Sequence, residues 1–165
     1  MPARELSTDR LRLGPLTIDH ARRVVDGNRQ PEWAAGYPTD GDREICALLV
    51  AAYDAGGVAD DELCHRVVVD AATGTVIGGI GFVGPPTDAG EIAVGYGLAE
   101  EWRGRGLATE ALRAIVRLAS SDDRVRAVIA DTTTDNVASV RVLEKSGFEQ
   151  VGRDGDHVYF RTLAV

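Results

Sequence analysis

The clearest periodic pattern in the chain begins after Gly106, where apolar residues recur every three or four positions over several turns. That spacing is typical of an amphipathic helix with one buried face. Glu110, Arg113 and Arg117 fall on the opposite, polar face. A Gly- and Arg-rich segment precedes this helix, and an alternating strand, Glu91–Leu98, precedes that segment. The pattern therefore predicts a strand, a glycine-rich loop and a helix as one unit.

Apolar spacing and turn residues predict the remaining elements in order. The predicted strands are Arg10–Pro15, Leu63–Ala71, Val76–Val83, Val125–Asp131, Gln150–Arg153 and His157–Leu163, and the predicted helices are Ile18–Asp26, Arg43–Ala55 and Asn136–Lys145. The segment Gly27–Asp42 is predicted to be irregular. Strands and helices intermix without an internal repeat, which indicates an α/β fold with a mixed sheet. Its length predicts a single domain, residues 1–165.

Composition and charge narrow the functional classes. The protein has a net charge of −8, whereas a nucleic-acid-binding protein needs a basic surface, so we expect no nucleic-acid partner. The negative charge weakly favours a cationic partner such as an amine. No apolar run reaches membrane-spanning length, and the first ten residues lack the apolar core of a signal peptide, so we expect a cytoplasmic protein without a membrane partner.

The cysteines and histidines do not form a pattern that indicates a metal site. Cys46 lies within an apolar helical pattern, which favours core packing, and Cys64 lacks a partner at metal-type spacing. If Cys64 and His65 open a strand, their side chains point to opposite faces. The three histidines do not cluster with acidic residues at ligand spacing, so we expect no metal.

The loop before the central helix is suited to binding an anion. Gly104 and Gly106 allow the backbone to turn and to approach a ligand closely. The first amides of the helix have no intrahelical partner and lie at the positive end of the helix dipole, which favours phosphate. Arg103 and Arg105 add positive charge. A turn of this kind alone is also compatible with an ordinary strand-to-helix connection.

Two motifs in order give the loop a more specific interpretation. Arg103–Ala108 fits R-x-x-G-x-A and follows a strand and Glu100-Glu101-Trp102. Downstream, Asn136–Ser139 and Val142–Phe148 give the form N-x-x-S followed by LEKSGF. Together with the opening residues Ser7–Leu13 and Pro15–Thr17, they resemble the GCN5-related N-acetyltransferases, and in particular the RimJ/RimL-type branch. The resemblance extends over nearly the whole chain.

The resemblance implies a fold and a donor substrate. The implied fold is a mixed, splayed, largely antiparallel sheet flanked by helices, and the implied co-substrate is acetyl-CoA, with its pantetheine arm in the gap between two diverging strands. The backbone around Gly95–Ala99 and Thr132–Thr134 would line that gap. The residues implied to bind acetyl-CoA are Gly97, Leu98, Ala99, Arg103, Gly104, Arg105, Gly106, Leu107, Ala108, Thr109, Asn136 and Ser139.

The resemblance also implies acid and base residues, with two departures from the family pattern. Glu91 is the candidate base, although the usual slot holds Ala93 and Glu91 lies about 7 Å farther back along the strand. A solvated-edge position for Glu91 is the alternative. The usual tyrosine acid is replaced by Glu144, so Ser139 is the candidate acid; alternatively it only caps its helix. Tyr96 and Tyr159 are further candidate proton donors; alternatively, they pack in the hydrophobic core.

The sequence gives fewer indications of the residues that bind the acceptor substrate. In the resembled family the early segment forms one wall of the acceptor site, so Trp33 and Tyr37 are candidate substrate-binding residues; alternatively, they pin the loop to the core. The resemblance implies transfer of acetyl to a primary amine, of a small molecule or of a protein N-terminus, by direct attack in a ternary complex. The alternative is a non-catalytic acyl-CoA-binding protein or sensor. A homodimer is expected by analogy alone.

Overall fold

The computed structural model describes residues 2–58 and 61–165 as one sheet with helices on both faces. The strands are β1 (Leu6–Ser7), β2 (Leu11–Pro15), β3 (His65–Asp70), β4 (Val76–Val83), β5 (Glu91–Leu98), β6 (Ala127–Thr133), β7 (Glu149–Asp154) and β8 (His157–Leu163). The helices are α1 (Ile18–Val25), α2 (Asp40–Asp54), α3 (Leu107–Ser120) and α4 (Val137–Lys145). Within these two ranges, no helix is both long and apolar enough to cross a membrane.

The sheet is mixed and opens near its centre. Its order is β1-β2-β3-β4-β5-β6-β8-β7, and every neighbouring pair is antiparallel except β5 and β6. The parallel pairing of β5 with β6 covers only Glu91–Ala93 against Ala127–Ile129. Beyond that point the two strands diverge, and each remains paired only with its outer neighbour. The predicted α/β fold with a splayed, largely antiparallel sheet is confirmed.

Helices cover the sheet from opposite sides at the opening. The amino end of α2 lies over the face of β4 and β5 that carries Gly79 and Gly97, because Thr39 and Asp42 approach these glycines. Side chains alternate along a strand, so Tyr96 leaves the other face of β5, where it reaches Ser139 of α4. Helix α4 packs on α3, whose apolar residues, including Leu112 and Ile115, are fully buried.

The observed elements differ from the predicted ones at the start of α2, which a cap determines, and at two short elements that have no periodic signal. Helix α2 begins at Asp40, earlier than predicted, because Thr39 and Asp42 form a reciprocal capping box that satisfies two amides. The segment predicted to be irregular therefore ends at Thr39. The strand β1 and a 3-10 turn at Glu100–Trp102 were not predicted, since each spans at most three residues and has no periodic signal.

Candidate active site

The loop between β5 and α3 presents bare backbone. Gly104 and Gly106 both adopt left-handed backbone conformations, with φ of 75° and 76°. A Cβ at Gly104 would have no neighbour within 4 Å, so the loop is open on that side. Gly106 is the N-cap of α3 and has no side chain to occupy the first-turn amides. An anion can therefore approach these amides directly.

Arginine side chains fix this loop through main-chain carbonyls. Arg103 Nε donates to the Leu98 carbonyl at 2.9 Å, and Arg105 Nη2 donates to the Glu101 carbonyl at 2.9 Å. Arg105 also lies over the Trp102 ring, 4.7 Å from its centroid. Arg10 donates to the Arg105 carbonyl at 2.8 Å, which brings a third guanidinium to the loop. Positive charge thus surrounds the helix mouth.

A depression of about 580 Å³ continues from Gly106 along the exposed side of α3. Arg10, Arg113 and Arg117 line it, together with the carboxylates of Asp9 and Glu110. Glu110 is paired with Arg10 at 2.7 Å and also accepts from Thr8 at 2.6 Å, which holds the β1–β2 turn against α3. The depression therefore extends the basic surface beyond the helix mouth.

Two hydroxyl groups meet beside the opening between β5 and β6. Tyr96 Oη lies 3.0 Å from Ser139 Oγ and 3.3 Å from the Ser139 carbonyl oxygen. Asn136 caps α4 by accepting from the Ser139 amide at 3.2 Å, which fixes Ser139 in the first helical turn. Burial raises the pKa of Tyr96, partly opposed by the Ser139 hydroxyl. Tyr96 therefore holds its proton firmly at neutral pH.

A cleft of about 430 Å³ lies on the opposite face, above a surface that we name the glycine floor. The glycine floor consists of Gly79 and Gly81 of β4 and of Gly95 and Gly97 of β5. These glycines share one face because Gly79 is directly opposite Gly97 and Gly81 is directly opposite Gly95. At Gly79, Gly95 and Gly97 the absence of side chains leaves space under the amino end of α2, whereas Cys64 and His65 cover Gly81.

The cleft is acidic. Its ionisable lining residues are Asp40, Asp42, Glu44, His65, Tyr96 and Arg103. Three carboxylates against one guanidinium favour a cationic ligand.

Asp42 is held with one oxygen fixed and the other directed at the glycine floor. Its Oδ2 accepts from the Thr39 amide at 2.9 Å and from Thr39 Oγ1 at 2.8 Å. Its Oδ1 lies so close to Gly79 that a Cβ there would collide with it. Burial raises the pKa of Asp42, opposed by the two hydrogen bonds from Thr39 and by the charge of Arg43.

His65 lies over the same glycine. A Cβ at Gly79 would be 2.9 Å from His65 Nε2, and Nδ1 is enclosed without a hydrogen-bond partner among the described residues. Burial lowers the pKa of His65 to about 4. The ring is therefore neutral at pH 7, and His65 lines the cleft beside Gly79.

The predicted base does not reach this cleft. Glu91 lies at the start of β5, where β5 is still paired with β6, and its carboxylate accepts from Arg161 Nε at 3.1 Å. Four residues separate Glu91 from Gly95, about 13 Å along a strand. The structure thus places Glu91 in a partly exposed ion pair, as in the solvated-edge alternative.

The predicted acceptor-wall aromatics lie in the core. Trp33 is 6% exposed and Tyr37 is 2% exposed. Their rings pack edge to face at 5.2 Å, and the Tyr37 hydroxyl lies 2.7 Å from His20 Nε2. Neither residue lines the 430 Å³ cleft, so the structure matches the alternative in which they pin the early loop to the core.

The cysteines do not contribute a reactive group. Cys46 is buried, and burial raises the pKa of its thiol to about 12. Burial also raises the pKa of Cys64. In residues 2–58 and 61–165, no three His, Cys, Asp or Glu side chains are grouped so that they could hold a metal ion.

The structure also brings together residues that sequence reasoning did not associate. The contacts of Asp42 and His65 with Gly79 and of Arg10 with the helix mouth connect distant parts of the chain, without a local signal. The pairing of Tyr96 with Ser139 joins two predicted candidates whose proximity the sequence did not reveal. The glycine floor had one signal, because Gly residues within a predicted strand often mark close approach.

Comparison with known proteins identifies the family. A family model described as an acetyltransferase (GNAT) domain matches residues 10–149. The chain belongs to this acetyltransferase family. The GNAT fold is therefore established here by both the family match and the sheet topology.

Individual relatives match parts of the chain. It is 34% identical over 73 residues to the uncharacterized N-acetyltransferase YjdG of Bacillus subtilis (strain 168), and the match covers 44% of each protein. It is 36% identical over 78 residues to the kanamycin resistance protein of Rhizobium radiobacter, covering 44% of this chain and 72% of that protein. The match thus spans less than half of the length of YjdG.

A solved structure shares the fold over almost its full length. RimL, a ribosomal L7/L12 alpha-N-protein acetyltransferase in complex with coenzyme A, aligns with a TM-score of 0.69. The alignment covers 97% of this chain and 98% of that chain at 15% identity. At this identity the likeness shows the fold alone.

Proposed function

We propose that this GNAT protein is an acetyl-CoA-dependent N-acetyltransferase that acetylates a primary amine by direct attack in a ternary complex. The observation that carries the proposal is the opening between β5 and β6, which has the anion-binding loop at one end and the Tyr96–Ser139 hydroxyl pair beside it. Acetyl-CoA, when bound, supplies an activated acetyl thioester. Membership of the GNAT family supports this choice of donor.

The residues of the helix mouth fit the donor. The open space at Gly104, the uncapped amides after Gly106 and the nearby guanidinium groups suit a diphosphate. Leu107, Ala108 and Thr109 provide first-turn amides, and Arg103 and Arg105 orient the loop. The basic depression along α3 provides further contacts for phosphate.

The diverging strands suit an extended chain. Backbone groups of Gly97, Leu98 and Ala99 lie at the end of β5 that has separated from β6. Because those edges lack partners across the gap, they orient the pantetheine arm of the donor by main-chain hydrogen bonds. Asn136 positions the first turn of α4 beside them.

Tyr96 and Ser139 act as the acid. Their oxygens are 3.0 Å apart, and burial keeps the Tyr96 proton in place at neutral pH. Ser139 orients the Tyr96 hydroxyl, and the pair delivers a proton to the leaving sulfur. This role replaces the tyrosine that is absent at Glu144 in the resembled pattern.

The amine is bound on the glycine-floor side of the sheet. The carboxylates there favour a cationic acceptor, and the similarity to a kanamycin resistance protein supports a small amine. The Asn136–Ser139 motif and the fold shared with RimL support a place in the RimJ/RimL-like branch, for which a protein N-terminus is the competing acceptor.

The test is titration calorimetry with acetyl-CoA, followed by measurement of thiol release with kanamycin, spermidine and N-terminal peptides. We expect acetyl-CoA binding and amine-dependent thiol release. Binding without release from any acceptor would favour the non-catalytic acyl-CoA-binding alternative. Absence of acetyl-CoA binding would refute the proposed function.

A further inference from the structure

The cleft above the glycine floor contains a carboxylate oxygen and an imidazole nitrogen that share one neighbour but do not bond to each other. Asp42 Oδ1 and His65 Nε2 both lie against Gly79, one from α2 and the other from β3. Neither atom has a hydrogen-bond partner among the described residues. A ligand that donates two hydrogen bonds would satisfy both.

We propose that Asp42, assisted by His65, binds the ammonium group of the acceptor and accepts its proton. This inference rests on the proposed function, and it replaces Glu91 as the base. An ammonium group has only donors, so it matches a carboxylate oxygen together with an imidazole lone pair. The side chain of Asp42 is almost fully buried, which strengthens its attraction for a cation.

The capping box makes Asp42 a fixed acceptor. Both Thr39 groups bind Oδ2, which leaves Oδ1 as the oxygen that faces Gly79. A carboxylate held at one oxygen loses little further freedom when the other oxygen binds a ligand. The capping box of α2 therefore also orients Asp42 Oδ1 toward the ligand.

His65 contributes a neutral second contact. Protonation of its ring would add a buried charge, so the ring remains neutral. Nδ1 has no hydrogen-bond partner among the described residues in either neutral tautomer, so a bound ammonium group selects the tautomer with hydrogen on Nδ1, in which Nε2 accepts. Its low pKa agrees with this state.

Asp42 takes one proton from the bound ammonium group. One N–H bond of the ammonium breaks, its electron pair remains on nitrogen as the attacking lone pair, and the proton bonds to Asp42 Oδ1. Burial raises the pKa of Asp42, which makes it a better proton acceptor than an exposed aspartate. The proton then leaves to water when the product departs.

The test compares Asp42→Asn with Asp19→Asn. Both changes remove one negative charge from the first turn of a helix, but Asp42 is buried in the cleft, whereas Asp19 is exposed on α1 and does not line the cleft. Calorimetry measures binding of spermidine, kanamycin and an N-terminal peptide without acetyl-CoA, and circular dichroism monitors folding. We expect Asp42→Asn to weaken binding of the tightest-bound amine at least about 30-fold. Asp19→Asn should weaken it at most about threefold.

A second measurement uses the wild-type protein, in case Asp42→Asn fails to fold. With ¹⁵N-labelled histidine, amine titration should shift the ring signals of His65. His20, bonded to Tyr37, and His157, on the β7–β8 hairpin, provide internal controls whose signals should not move. A His65 signal that stays fixed at saturating amine would overturn the proposal.

The outcomes separate this proposal from the proposed function. Equal effects of the two asparagine variants, or no binding of any amine by a wild type that binds acetyl-CoA, would overturn the Asp42 site and leave the donor assignment. Amine binding that depends on Asp42 in a protein unable to bind acetyl-CoA would retain the site and refute the acetyltransferase.

Discussion

The two faces of the β4–β5 pair present different chemistry. On the proposed donor side, which faces α3 and α4, the candidate binding groups are mainly backbone amides, and one continuous stretch after β5 supplies most of them. On the proposed acceptor side, which faces α2, the candidate binding groups are two side chains held over glycines by separate elements. Donor binding should therefore tolerate most side-chain changes, whereas amine binding should depend on two side chains.

The largest effect should come from the hydroxyl pair on the donor side. Tyr96→Phe removes the proposed acid, so kcat should fall by about 10² to 10⁴ while acetyl-CoA affinity stays within about twofold. Steady-state kinetics and calorimetry measure the two quantities. Tyr159→Phe is the control, because Tyr159 is 40% exposed on β8. Equal losses in both variants would remove Tyr96 from the mechanism.

The next effect tests the backbone of the helix mouth. Gly106→Val places a branched side chain at φ 76°, beside the amides proposed to bind phosphate, so acetyl-CoA affinity should fall by about 10². Amine binding at the acceptor side should persist. Gly74→Val introduces similar strain at φ 74° in the β3–β4 turn and controls for it. If Gly74→Val reduced acetyl-CoA affinity as much, strain alone would explain the loss.

These two sides also differ in how far the sequence predicts them. The donor loop is local, because Gly104, Gly106 and the α3 periodicity lie within one stretch whose spacing carries the information. The capping role of Asn136 is local in the same way. Sequence reasoning therefore indicated the fold, and its assignment of the donor loop stays a prediction that the open, uncapped helix mouth supports.

The acceptor side could not be predicted in the same way. Asp42, His65 and Gly79 meet only after α2 folds over the sheet, and none of them lies within a motif that relates it to the others. Trp33 and Tyr37 drew attention as aromatics in a loop, yet burial against His20 stabilises them better than exposure. Glu91 shared a face with the expected slot, but its position along β5 placed it beside Arg161.

A smaller effect should appear in the pH dependence of stability. The pKa of His65 is lowered by burial from 6.5 to about 4 in the folded protein, so the unfolded chain binds more protons between these values. Stability should be fully present above pH 6.5 and should decrease as pH falls toward 4, by roughly 3 kcal/mol from this residue. Urea unfolding across this range measures the slope.

The contribution of His65 is isolated by subtraction. Asp42 changes the free energy of unfolding with pH in the opposite direction, because burial raises its pKa. The contribution of His65 is therefore the slope of the unfolding free energy against pH in the wild type minus the same slope in His65→Gln. A wild-type slope equal to that of His65→Gln would contradict the assignment.

The smallest effect should come from the residue that sequence reasoning favoured as base. Glu91→Gln breaks a half-exposed ion pair with Arg161, and exposed pairs contribute about 0–1 kcal/mol to stability. We expect kcat within about twofold of the wild type and the same pH–rate profile. A profile that flattened in Glu91→Gln but not in Asp42→Asn would restore Glu91 as the base.

The glycine floor has a consequence for how the acceptor range can diverge. On β4 it is closed to change, since a methyl group at Gly79 or Gly81 would strike neighbouring atoms. On β5 it is open, because a Cβ at Gly95 or Gly97 would meet its nearest neighbour at 4.0 Å or 3.5 Å. Alanine at Gly95 would raise the floor by one methyl group and would leave the backbone proposed to bind the donor, Gly97–Ala99, unchanged. The volume available to the acceptor can therefore change through Gly95 without a change in the residues proposed to bind acetyl-CoA.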